Sequence, residues 1–277
     1  MTDPIRQQQL GELELVELCT KILSASRNEL YVNMRYFDIA LSSFGFEGDW
    51  SRAGIATDGF LICYGPEYLL NLYRQGRTLV NRTFLHMMLH CLFGHTDNRK
   101  GRLPSLWNLA CDIAVESIID HLYQKCVHLP LSMPRREIYL RLQRQNLAVM
   151  NAEGIDKALQ DMDFNPKQLE RLALEFYRDS HDLWEREMPK SQMIRRQNQW
   201  KDHRERLQTE METLGAKDPS EDGHTLLEQV QAENRERYDY RSFLKKFAVL
   251  REEIQVDPDS FDPVFYTYGL SLYGNMP

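Results

Sequence analysis

The sequence is short of the features that mark secreted, membrane-spanning or nucleic-acid-binding chains. It has 5 cysteines among 277 residues, and Cys19, Cys63, Cys91, Cys111 and Cys126 are odd in number, scattered and never paired as C-x-x-C. That excludes a disulfide framework and fits reduced thiols in a cytoplasm. No apolar run approaches the ~18 residues of a membrane span, and the opening residues carry no apolar signal core, so a cytoplasmic protein with no membrane association is expected. Positive charge is not in excess. The formal net charge is −7, which removes the electrostatic footprint of a nucleic-acid binder. The basic residues Arg195, Arg196, Lys201, Arg204 and Arg206 are interleaved with acidic ones and read as a solvated helix face. A Gly-rich phosphate loop, a G-x-S-x-G elbow and a dinucleotide fingerprint are all missing, so nucleotide and serine-hydrolase chemistry find no support.

What is present suffices for a core, since 42% of the residues are hydrophobic. Apolar positions at helical spacing predict two helices over residues 5–43, broken near Ser26. Residues 54–65 are rich in β-formers around Asp58-Gly59, a strong turn signal, and predict a hairpin. Helical spacing returns from Pro66 and again from Val80 to Phe93, with Gly94 as the C-terminal cap. Ser105 is positioned to cap the next helix, through Trp107, Ala110, Ile113 and Leu122. The expected fold class is α+β, predominantly helical. Residues 1–130 form the core in this reading, 131–256 an extended helical region with breaks near Gly154, Pro166, Pro189 and Pro219, and 257–277 a β or irregular segment.

His86 and His90 lie four residues apart, one helical turn, so their imidazoles stack on one face and can share a Zn²⁺ ion. Two polar histidines capping a core would have the same spacing. Asp112, inside the apolar helix Trp107-Asn108-Leu109-Ala110-Cys111-Asp112, needs a charged partner because an unpaired buried carboxylate is costly. A metal or a salt bridge would each serve. His95 is the rival third ligand: it sits roughly 140° from His90 on a continuous helix, but a turn at Gly94 can bring it back. Glu116, one turn beyond Asp112, is either a partner behind the ligands or a surface residue. His181 is a further candidate cleft residue, with a buried, hydrogen-bonded histidine as the favoured reading.

The run Thr57-Asp58-Gly59, His86-x-x-x-His90, Gly94-His95, Asn98-Arg99 and Trp107-Asn108-x-Ala110-x-Asp112 resembles the zincin-like metallopeptidase domain that precedes a VWA-like domain in bacterial proteins. The similarity continues, in matching order, through Asp179-Ser180-His181-Asp182-Leu183-Trp184, Tyr238 to Leu244 and Phe261 to Pro277. The resemblance implies a zincin-like core with His86 and His90 as zinc ligands, Asp112 as the third, and the hairpin from Thr57 to Tyr64 bordering the cleft. It also implies a VWA-like domain and a MoxR-type AAA+ ATPase as partners.

The family usually has His-Glu-x-x-His, whereas position 87 here is methionine. A thioether cannot accept the proton that a glutamate takes from water, and losing a positioned acid/base group removes ~10²–10⁴ of rate. The expected protein is therefore a metal-binding but catalytically impaired scaffold. The alternative is an active peptidase in which Asp58 or Glu116 substitutes for the missing base.

Overall fold

The computed structural model describes residues 4–215 and 224–236, apart from residues 100, 146 and 148. Its centre is a pair of helices, α4 (Arg77–Leu92) and α5 (Pro104–His121). From Val80 every residue of α4 is buried, and α5 is buried continuously from Leu109 to Ile119. A helix covered on all sides must bury whatever polar residues it carries. Arg82, His86 and His90 on α4 and Asp112 and Glu116 on α5 are thus forced to find partners within the molecule.

Around α4 pack the long α1 (Pro4–Asn33) and α3 (Pro66–Gln75), which starts with proline at its first turn, where the missing N–H costs nothing. A 3-10 turn (Arg35–Phe37) and the short α2 (Asp38–Ser42) lead into a three-stranded sheet of β1 (Gly45–Gly48), β2 (Ile55–Thr57) and β3 (Leu61–Tyr64). The strand order is β1-β3-β2, with β1 parallel and β2 antiparallel to β3, so β2 is an edge strand. The β2–β3 hairpin turns where the Asp-Gly pair predicts. Gly59 takes φ 91°, and Asp58 Oδ1 accepts from the N–H groups of Phe60 and Leu61, both at 2.8 Å.

Beyond residue 130 come α6 (Met133–Gln143), α7 (Ala152–Asp161), α8 (Pro166–Phe176), a 3-10 turn (Asp182–Glu185), α9 (Lys190–Gly215) and α10 (His224–Glu236). Ile138, Leu142, Ile155, Leu159 and Phe176 share one apolar cluster with Trp107, Ile113 and Ala114 of α5. Trp200, Leu207, Leu226 and Val230 join the larger cluster around α4. Helices on both sides of residue 130 therefore bury the same apolar surface. No helix among the described residues is long and apolar enough to cross a membrane.

The α+β, predominantly helical fold class is what the structure shows. Several local expectations are corrected. The first helix runs unbroken through Ser26, which is buried, because no glycine or proline lies between Glu12 and Asn33; the chain turns at Met34 instead. α5 begins at Pro104 with Leu103 as its cap, since a fixed proline φ suits the first helical position better than the Ser105 hydroxyl. Gly154 lies inside α7, and the break precedes it at Asn151, whose side chain accepts from Gly154 N–H. The basic stretch on α9 is not wholly solvated. Arg196 and Arg204 are buried, donating to Asp58 O and Asp97 in one case and to Leu92 O and Asn234 in the other. The breaks expected near Pro219 and the segment 257–277 lie outside the described residues.

Candidate metal centre

Helix α4 ends in a turn that shapes the site. Gly94 adopts φ 67°, its N–H bonds Cys91 O at 3.1 Å, and His95 N–H bonds His90 O at 3.0 Å. This is the Schellman arrangement that glycine permits at a helix C-terminus. It folds His95 back so that its Nδ1 lies 2.9 Å from His90 Nδ1. His95 therefore stands behind His90, on the side away from His90 Nε2.

On the other side, His90 Nε2 lies 2.8 Å from His86 Nε2. Asp112 Oδ1 is 3.3 Å from His86 Nε2 and 3.2 Å from His90 Nε2. Sequence reasoning named these three residues and the fold brings them together. It missed Asp179, and for His181 it favoured a buried, hydrogen-bonded histidine over a cleft residue. Asp179 Oδ1 is 3.3 Å from His86 Nε2, and His181 Nε2 is 3.2 Å from Asp112 Oδ1 and 3.4 Å from Asp179 Oδ1. His86, His90, Asp112, Asp179 and His181 are all buried, and one donor atom from each falls within 4.8 Å of all the others.

The donors converge without satisfying one another. Among the described residues, Asp112 Oδ1, both oxygens of Asp179 and His181 Nε2 have no hydrogen-bond partner. Distances of ion-pair length are reached without an N–H aimed at an oxygen, as when several groups point at one place. A tetrahedral ion with bonds of ~2.0–2.1 Å spaces its ligands roughly 3.3 Å apart, matching the nitrogen–oxygen separations here. The donor set, imidazole and carboxylate, suits a divalent transition metal. The residues present thus fit a metal ion.

The protein also holds the imidazoles in the right form. His86 Nδ1 is 3.0 Å from Glu116 Oε1. An ionised carboxylate only accepts, so Nδ1 carries the hydrogen and Nε2 presents its lone pair to the site. Glu116 is itself clamped: Oε2 accepts from Arg82 Nε at 2.9 Å and Nη2 at 2.7 Å, and Arg135 Nη1 lies at 2.6 Å. Burial would raise the Glu116 carboxyl, but Arg82, His86 and Arg135 hold it well below the usual carboxylate range. Glu116 therefore serves behind His86, and Asp58 is committed to its hairpin turn.

The charged groups of the cluster shift one another strongly. Burial would depress His86, yet Asp112, Asp179 and Glu116 raise its pKa well above the ordinary imidazole value. His181 is likewise pushed up, to about 9, by Asp112 and Asp179 against burial. His90 is pushed down to about 4 by burial and by His86 beside it. Asp112 stays far below the carboxylate range despite burial, because of the histidines around it. Two carboxylates surrounded by imidazoles call for about two positive charges, which a divalent ion provides at one point.

Helix-borne histidines one turn apart, joined by a carboxylate from the adjoining buried helix, make a group that could hold a metal ion, as in a metallopeptidase-like domain. The match to known families agrees. A family model described as "Putative metallopeptidase domain" covers residues 38–247, most of the chain, and the protein belongs to that family. No curated protein and no solved structure matches it.

Proposed function

We propose that this protein is a zinc-binding, catalytically impaired member of the metallopeptidase-like family, acting in the cytoplasm as a scaffold for a VWA-like domain and a MoxR-type AAA+ ATPase. The observation that carries this reading is the combination of convergent donors, several of them without a hydrogen-bond partner, with a methionine next to His86. Met87 is fully buried in the larger apolar cluster. Lewis acidity is what a zinc ion supplies here; the proton transfer that peptide cleavage also needs falls to the chain. The carboxylates around the site are engaged. Asp112 and Asp179 belong to the donor set, and Glu116 is held by His86, Arg82 and Arg135. None remains at the position where the family resemblance places a glutamate. The VWA-like and ATPase partners rest on that resemblance.

Elemental analysis and a peptidase assay test the reading together. Purified protein is expected to carry about one zinc per chain, to lose it in His86→Ala/His90→Ala, and to cleave unstructured peptides no faster than background. Met87→Glu, with Met87→Gln as the control for burying a polar group, asks whether the base alone is missing. Chelator-sensitive cleavage by the unmodified protein, abolished by His90→Ala, would establish the active-peptidase alternative instead.

A further inference from the structure

We propose that Asp179 and His181 are metal ligands delivered by a built-in strap, residues 177–185, which seals the metal centre with the chain's own backbone. This rests on the metal-binding reading above and adds to it who closes the site.

The geometry starts at the sheet edge. Ser180 N–H donates to Ile55 O at 2.8 Å, and Ser180 forms a parallel bridge with Ala56 on the edge strand β2. From the two sides of that bridge, Asp179 Oδ1 reaches to 3.3 Å from His86 Nε2, and His181 Nε2 comes to 3.2 Å from Asp112 Oδ1. Each of these two side chains is buried and ends in atoms with no hydrogen-bond partner. Leaving a carboxylate buried and unpaired is costly, and the strap does so with both oxygens of Asp179.

The strap is clamped at its far end. Arg52 Nη1 and Nη2 each donate to one oxygen of Asp182 at 3.0 Å, a bidentate pair between the β1–β2 connection and the strap. Trp184 stacks on His181 with ring centroids 3.7 Å apart and planes within 15°, and its ring also meets His90 at 4.9 Å. The imidazole of His181 is thus fixed between an indole and the donor set. A catalytic zinc site holds three protein ligands and leaves one position open, whereas a structural site is filled by the protein. With five convergent protein donors and an occupied sheet edge, this centre is of the filled kind, and the ion ties the strap to α4 and α5. The same strap covers the free edge of β2, where an extended peptide would add to the sheet.

The test compares exchange and affinity. In wild-type protein, zinc added to the metal-free form should slow amide hydrogen exchange across residues 177–185 by at least tenfold. The variants Asp179→Ala and His181→Ala should each weaken Zn²⁺ and Co²⁺ binding more than about tenfold, as loss of even an indirect partner typically does. Cobalt-loaded His181→Ala should change its visible spectrum on addition of free imidazole, which refills the vacated position, whereas cobalt-loaded wild type should not. If zinc binds through His86 and His90 but both strap variants bind it like wild type and exchange in the strap ignores metal, the proposal is wrong and the metal-binding reading survives. Wild-type protein that takes up no zinc at all overturns both.

Discussion

Two buried polar clusters sit one helical turn apart along α5, and they are built on opposite terms. Around Glu116 and Asp120, the arginines Arg82 and Arg135, Tyr139 and the carbonyl of Val127 make a network in which Arg82, Arg135, Glu116 and Asp120 leave no buried side-chain atom without a partner. Around Asp112, the donors of His86, Asp179, His181 and Asp112 itself stand at contact distance with several atoms unsatisfied. Both clusters lie in the same pair of helices and at similar depth. The first pairs its carboxylates with arginines of the same chain; the second gathers donor atoms that could hold a cation. His86 belongs to both, with Nδ1 on the finished network and Nε2 in the unfinished one.

That contrast can be broken most forcefully at Arg82. Arg82→Met strands Glu116 and Asp120 in the interior, and loss of one partner of a buried pair costs about 3–5 kcal/mol. Urea unfolding should show this loss already in metal-free protein, because the network needs no metal. The unfinished cluster should behave oppositely. Free zinc at a hundred times its dissociation constant should raise wild-type stability by about 2.7 kcal/mol, and should leave His86→Ala/His90→Ala unchanged. The residue through which His86 meets the first network gives an intermediate result. Glu116→Gln weakens the orientation of His86, so zinc affinity of the folded protein, read by competition with a coloured chelator, should drop roughly 10–100-fold. The smallest effect lies outside both clusters. Asn165 and Gln168 form a capping box at the start of α8, and Asn165→Ala should cost about 1 kcal/mol in urea unfolding without altering zinc affinity.

The parts of this structure that local chemistry dictates were readable in advance. Asp58-Gly59 specifies its turn, Gly94 its helix end, and the four-residue spacing of His86 and His90 their shared face. Asp112 was readable because a carboxylate in an apolar helix demands an explanation. Strand β1 escaped notice: it is four residues long, bounded by glycines and not fully buried, so no alternation stands out. Asp179 escaped for a different reason. Its role depends on a single bridge to β2, a contact between segments far apart in sequence. The false break at Ser26 shows the limit of polarity as a signal, since a polar stretch without glycine or proline can stay helical when its neighbours bury it.

The central claim is that the Asp112 cluster is finished by a metal ion, and a calorimetric titration of metal-free protein with zinc tests it most directly. The account predicts saturable binding of about one equivalent, lost in His86→Ala/His90→Ala. Absence of binding in the wild type, or undiminished binding in the double variant, would contradict it.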